Sequence, residues 1–310
     1  FITIASTGDA QNFGNLSAGT VASNGAVSNA TRGVLKFRTG SYINTIEYLT
    51  TATLGNSIDF GDSTNNAGGN GGLASPTRGL FAGGYGSPSF RTQIASIEIP
   101  TTGDAVDFGD MIQSNTGAKG GGGCGSATRA IIAGGYNPSP GALLTEIAYV
   151  MMSSQGGAID WGDLAIAKNG LTPKSNSIRG VFQGGATPDY TSEMSSIDIQ
   201  SLGNATNFGS HLEGAIRNGA AAQNGTRGLW GGGQGPSANY FTIVSYVFAT
   251  SGSGTKFGEL SDDPNANAAV SSGIRGVWAG GAAPSVTNTI EYVTIATEGN
   301  AVSYTHLRAH

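Results

Sequence analysis

The chain has 310 residues, of which 52 are glycine and 10 proline; only 11% are charged and the net charge is −5. The glycines lack Gly-X-Y spacing, which excludes collagen, and 38% hydrophobic residues with 12 Phe, 10 Tyr and 3 Trp exclude a flexible linker. The 15 Lys and Arg are scattered, so no basic face is offered to nucleic acid, and no apolar run reaches the ~18 residues that cross a bilayer.

In chain order, Phe1 to Asn15 reads as the second half of a unit that then recurs. One marker of the unit is an Arg before a small residue and an apolar run, at Arg32, Arg78, Arg129, Arg179, Arg227 and Arg275. A second is an aromatic before glycine, at Phe13-Gly14, Phe60-Gly61, Phe108-Gly109, Trp161-Gly162, Phe208-Gly209 and Phe257-Gly258. Both share a period of about 48 residues. Each unit predicts four short strands. Gly71-Gly72-Leu73-Ala74 is small and glycine-rich, and Gly79-Leu80-Phe81-Ala82 is apolar and ends in Gly83-Gly84. The third strand alternates, as in Thr289-Ile290-Glu291-Tyr292-Val293, and the fourth is Ala105-Val106-Asp107-Phe108 after a Gly-Asp turn. No segment has sustained helical spacing.

Four antiparallel strands per unit predict an all-β chain, a β-propeller of four-stranded antiparallel blades. Small residues in the first strand suit convergence on an axis, and aromatics in the second and fourth suit packing between blades. Residues 1–302 are expected to form one propeller of six blades, with seven blades as the alternative for a longer, uncut parent. The start at Phe1, inside a unit, reads as a fragment. Gln11-Asn12-Phe13 is expected to complete the sixth blade. Residues 303–310 depart from the repeat and read as a non-native, scar-like tail, similar to a translated sequencing adaptor.

The diglycines Gly83-Gly84, Gly134-Gly135, Gly184-Gly185, Gly232-Gly233 and Gly280-Gly281 resemble the kelch repeat, as do the later Tyr48, Tyr149, Tyr246 and Tyr292. The resemblance implies a kelch-like propeller of six or seven blades. It departs at Leu35-Lys36-Phe37, which lacks the diglycine, and at Ile99 and Ile199, which replace the Tyr. Ile-Glu-Tyr-Val-Thr-Ile-Ala-Thr at 290–297 with Gly-Asn-Ala-Val at 299–302 is similar to glycine-rich propeller repeats of phage and marine viral surface proteins.

Several motifs that suggest chemistry are absorbed by the repeat. Asp59-Phe60-Gly61 and Asp107-Phe108-Gly109 spell a kinase triplet but recur with the blade. The run Gly120 to Gly123 enters a strand, not the helix that a phosphate loop needs. Asp62, Asp110, Asp163 and Glu259 read as turn residues bonding their own backbone rather than as a calcium site. The six repeat arginines read as local structural anchors on a neighbouring turn's carbonyls or on an Asp such as Asp104; an anion-binding set is the alternative. Cys124 is the only cysteine and, with the tail set aside, His211 is the only histidine. No metal site, cofactor or catalytic residue is expected, and a copper site of the galactose oxidase type lacks its ligands.

The connection between the second and third strands varies most. It carries Tyr85, Phe90 and Arg91, then Tyr136 and Asn137, then Asp189 and Tyr190, then Asn239, Tyr240 and Phe241. Aromatics beside Asn and Asp suit sugars or proteins, so these ten are the candidate binding residues. The expected function is non-catalytic recognition or adhesion, binding a glycan or surface protein, with an extracellular or virion-surface location. The alternatives are a glycan-active enzyme with carboxylates in an axial pocket and a purely structural virion component. Membrane insertion is not expected.

Overall fold

The structure, a computed structural model, describes all residues except 18–21, 39–42, 87–88, 114–121, 138–140, 188, 284 and 307–310. Gly120 and Gly121 of the glycine run and the end of the tail therefore lie outside the described residues. No helix occurs among the described residues. The fold is all-β, with six four-stranded antiparallel sheets as the blades of a β-propeller, at residues 22–62, 71–110, 122–163, 172–210, 220–259 and 268–306. In every blade the four strands lie side by side in chain order.

Two compact units are present. One holds Phe13–Asn169 with Leu202–Asn204, and therefore blades one to three. The other holds Phe1–Asn12, Gly170–Ser201 and Ala205–His310, and therefore blades four to six. Within each, the core lies in the seams between blades. In the first unit, Val34, Ile46 and Phe60 of blade one meet Phe81, Ile97 and Ile99 of blade two. Leu80, Ile94 and Phe108 of blade two then meet Ile132, Val150 and Met152 of blade three. In the second unit, Val181, Met194 and Phe208 meet Tyr246 and Phe248, and Leu229, Ile243 and Phe257 meet Trp278, Val293 and Ile295. The first strands of blades one and two run close together: a Cβ on Gly72 would overlap the Ala26 carbonyl, so glycine there is a steric necessity.

The recurring aromatic sits on a β-bulge. In blade two, Ala95 pairs with Asp107 and Ile94 with Gly109, which leaves Phe108 as the extra residue. The same shift occurs in all six blades. In the first five blades the bulge turns the aromatic, Phe60, Phe108, Trp161, Phe208 or Phe257, into the buried interior and bends the outer strand. Its carbonyl then accepts from the next blade's hairpin, as in Gly156 N–H to Phe108 O at 2.8 Å. The paired glycine is forced by this approach, because Gly109 has φ +143° and a Cβ there would stand 2.5 Å from the Gly157 nitrogen. The residue that bonds its own backbone is the one before the aromatic. Asp59, Asp107 and Asp160 accept from Gly61, Gly109 and Gly162 N–H. Asp110 and Asp163 instead accept the hydroxyls of Thr92 and Thr145, each at 2.7 Å, and Glu259 pairs with Lys256. Carboxylates before the aromatic-glycine pair thus bond their own backbone, whereas Asp110, Asp163 and Glu259 after it bond other side chains.

The completion of blade six also differs from expectation. The fourth strand of blade six is Val302–His306, paired to Thr289–Thr294, so Gln11–Phe13 does not fill it and residues 303–306 lie in the ladder. Phe1 and Gln11 bond each other's backbone, and Ile2, Ile4 and Ala10 pack on Val277 and Ile290 of blade six. In the first unit, the Phe13 and Asn15 carbonyls accept from Gly55 and Ser57 N–H of blade one.

Candidate functional site

The repeat arginines lie at the hairpin end of each blade. Arg32, Arg78, Arg179, Arg227 and Arg275 donate Nη1 to the carbonyls of Ile99, Met152, Phe248, Ile295 and Ile4 at 2.7–3.0 Å. Each residue that receives the bond directly follows a neighbouring third strand or, for Ile4, stands at the matching place in the repeat. Arg129 lies over the rings of Tyr149 and Trp161, at 5.5 and 5.4 Å. Arg78 also pairs with Glu98 at 2.8 Å. Asp104 takes no arginine; its carboxylate accepts the Asp62 N–H.

The opposite end of each blade carries the connections between second and third strands. There the diglycines turn the chain with both residues at positive φ, 59° and 107° at Gly184 and Gly185, a conformation that a Cβ disfavours. The chain then forms a short hairpin rather than an open loop. Tyr85 pairs with Phe90, Tyr136 with Leu143, and Ala186 with Tyr190.

In the first unit these residues are largely occupied with one another. The Tyr85 and Phe90 rings lie 4.9 Å apart. Arg91 lies across Gly86 with its Nε buried. Asn137 is buried and donates to Gln113, whose own amide donates to Glu146 at 2.8 Å. Tyr136 is half-buried. Beside Glu146 is a cleft of about 310 Å³ lined by Gln113, Leu143, Thr145, Asp160 and Asp163. Burial raises the Glu146 pKa, and the charges of Asp160 and Asp163 add to the rise against the Gln113 hydrogen bond. The cleft is lined by third- and fourth-strand residues of blade three, by Leu143 of its hairpin and by Gln113 of the preceding connector, and by no first-strand residue. No group of three or more metal-ligating side chains occurs among the described residues.

In the second unit the arrangement differs. The connector from blade four to blade five is zipped into both hairpins. Ile216 donates to Thr191 O and accepts from Gly185 N–H, while Arg217 exchanges both backbone bonds with Gln234, at 3.0 and 2.8 Å. Gln234 in turn bridges to Asn239. Asn218, just after Arg217, holds φ 57°, which Asn tolerates better than most residues. The clamped backbone sends the Arg217 side chain over Tyr190, its guanidinium carbon 4.7 Å from the ring centre, with Nη2 3.4 Å from Gln234 Oε1. Its Nε is buried with no acceptor, and no described carboxylate lies within ion-pair distance. The Tyr240 ring lies over Gly235, and Asn239 Oδ1 accepts from Asn265 at 3.2 Å. Tyr190, Asn239 and Tyr240 are half-buried, whereas Asp189 and Phe241 are exposed at the margin.

Of the ten expected residues, the structure thus sets Tyr190 against Arg217, and Asn239 and Tyr240 on the hairpin of Gln234; neither Arg217 nor Gln234 was among the ten. A signal for Arg217 was present in the sequence. The bridge positions equivalent to it hold Gly68 and Asn265, so an arginine there breaks the repeat.

No protein-family model matches the chain, and no curated protein sequence matches it. Its backbone is similar to the solved structure of YjhT, with a TM-score of 0.71 at 11% sequence identity, covering 91% of this chain and 96% of that one. Likeness at that identity establishes the propeller fold.

Proposed function

We propose that the chain is a non-catalytic recognition module of a displayed surface, extracellular or on a virion, that binds a glycan through the second unit's hairpin face. The observation that carries this is the gathering of half-buried Tyr190 and Tyr240 with the amides of Gln234 and Asn239. Aromatic faces cover the apolar side of a sugar, and planar amides bond its hydroxyls. The site costs little to order, because each residue is already held by backbone bonds. Titration against a polysaccharide panel tests the reading. Tyr190→Ala and Tyr240→Ala should each lower affinity roughly tenfold with little change in Tm. Undiminished binding by both variants would rule this face out. A surface protein as ligand is the competing outcome, seen as cell binding that survives enzymatic removal of glycans.

A second reading rests on Glu146. A carboxyl group whose pKa burial raises, in a cleft with two further carboxylates, suits proton donation to a glycosidic oxygen. Release of sugar from a polysaccharide panel, lost in Glu146→Gln, would favour this enzyme reading over the binding module.

A further inference from the structure

Resting on the glycan-binding reading, we infer that Arg217 makes this face selective for anionic polysaccharides, receiving the carboxylate or sulfate group of an acidic sugar. Three independent features point there. First, the charge is left open. The other described arginines of that unit, Arg179, Arg227 and Arg275, give Nη1 to a backbone carbonyl, while Arg217 has a long hydrogen bond to the neutral Gln234 amide and a stack on the Tyr190 ring, neither of which brings an anion. A half-buried guanidinium without an anion carries a desolvation cost that an arriving oxyanion would offset.

Second, the residue breaks the repeat. Gly68 and Asn265 make the same backbone bridge without a charge, so the bridge does not require arginine. A structural role would recur from blade to blade, as it does for Arg32, Arg78, Arg179, Arg227 and Arg275. Third, the fork is pre-organised. Two backbone bonds to Gln234 fix the main chain, and the guanidinium carbon packs over the Tyr190 ring at 4.7 Å. A planar fork held in one orientation loses little entropy on taking two oxygens. Tyr240 and Asn239 then remain for the uncharged part of the sugar.

The test is binding of wild type, Arg217→Gln, Arg217→Lys and Tyr240→Ala to a polyuronate, a sulfated galactan and a neutral galactan across a salt series. Wild type should prefer one or both anionic polymers, and which one assigns carboxylate or sulfate. Arg217→Gln should lose roughly 10- to 100-fold on the anionic polymer and most of its salt dependence. Arg217→Lys should keep the salt dependence but not the full affinity, since an ammonium lacks the fork. Tyr240→Ala should weaken charged and neutral polymers alike. Anionic binding unchanged in Arg217→Gln, at an unchanged Tm, overturns the inference. So does wild-type binding to the neutral polymer alone, which leaves the glycan-binding reading standing. Absence of binding to all three overturns both.

Discussion

Arg275 Nη1 donates to the carbonyl oxygen of Ile4 at 3.0 Å, joining residues 271 positions apart in the chain. The same bond links Arg227 to Ile295 between blades five and six, so Ile4 takes the place that a third-strand end takes elsewhere. Arg275 also stacks on Tyr292 at 4.5 Å. Truncation to Ala should cost roughly 2–3 kcal/mol, because it leaves a carbonyl unpaired. Amide exchange by mass spectrometry should then rise in the first twelve residues before it rises in blade six; protection equal to wild type in that segment would contradict the assignment.

Glycines of similar appearance differ in what they tolerate. Gly109→Ala should destabilise by about 3 kcal/mol or prevent folding, since its φ is +143° and the Gly157 backbone stands where the methyl would go. Gly33 has open space around it and no positive φ, so Gly33→Ala should be neutral or slightly stabilising. Chemical denaturation of the two variants side by side measures the contrast.

Lys36 is 1% exposed, its ammonium bonded to Asn65 Oδ1 at 2.8 Å, and burial lowers its pKa to about 7. The unfolded chain holds that proton up to about pH 10.5, so between pH 7 and 10.5 the unfolded state binds more protons than the folded one. Stability should therefore rise with pH across that window in wild type. Below pH 7 both states carry the charge and the burial penalty is constant. Lys36→Met should raise Tm at pH 6 and abolish this part of the rise, which thermal melts from pH 6 to 10 would show.

His211 occupies a site that holds Met111, Leu164 and Leu260 after other fourth strands. Its Nδ1 accepts the Glu213 N–H, its ring lies 5.2 Å from Trp230, and burial lowers its pKa to about 4. Below pH 6.5 the unfolded chain takes up a proton that the folded chain refuses until about pH 4, so wild type should lose stability through that interval. His211→Leu should remove the loss. Its Tm advantage should be roughly 2–5 °C larger at pH 5 than at pH 8.

The repeat was open to reading because blade geometry imposes the same local demands six times. The diglycines recur where two consecutive residues need positive φ, and the aromatic-glycine pair recurs where a bulge meets the next hairpin. Less could be read where a residue answers to a partner far along the chain. Asp110 and Asp163 looked like self-capping turn residues, yet each holds a threonine 18 positions away. Residues 303–306 lacked the glycine of the pattern, yet backbone pairing to Thr289–Thr294 needs no particular side chain.

The amino-acid sequence alone determined the blade, its period and the residues that build its turns, because these depend on local backbone conformation and alternation repeated along the chain. Which variable residues act together was decided only in three dimensions. Tyr190 and Arg217 stand 27 positions apart in the numbering and belong to different connections. They meet because Ile216 bonds one hairpin and Arg217 the next. A stack of charge on ring depends on that pairing of separate segments, and periodicity along the chain carries no record of it.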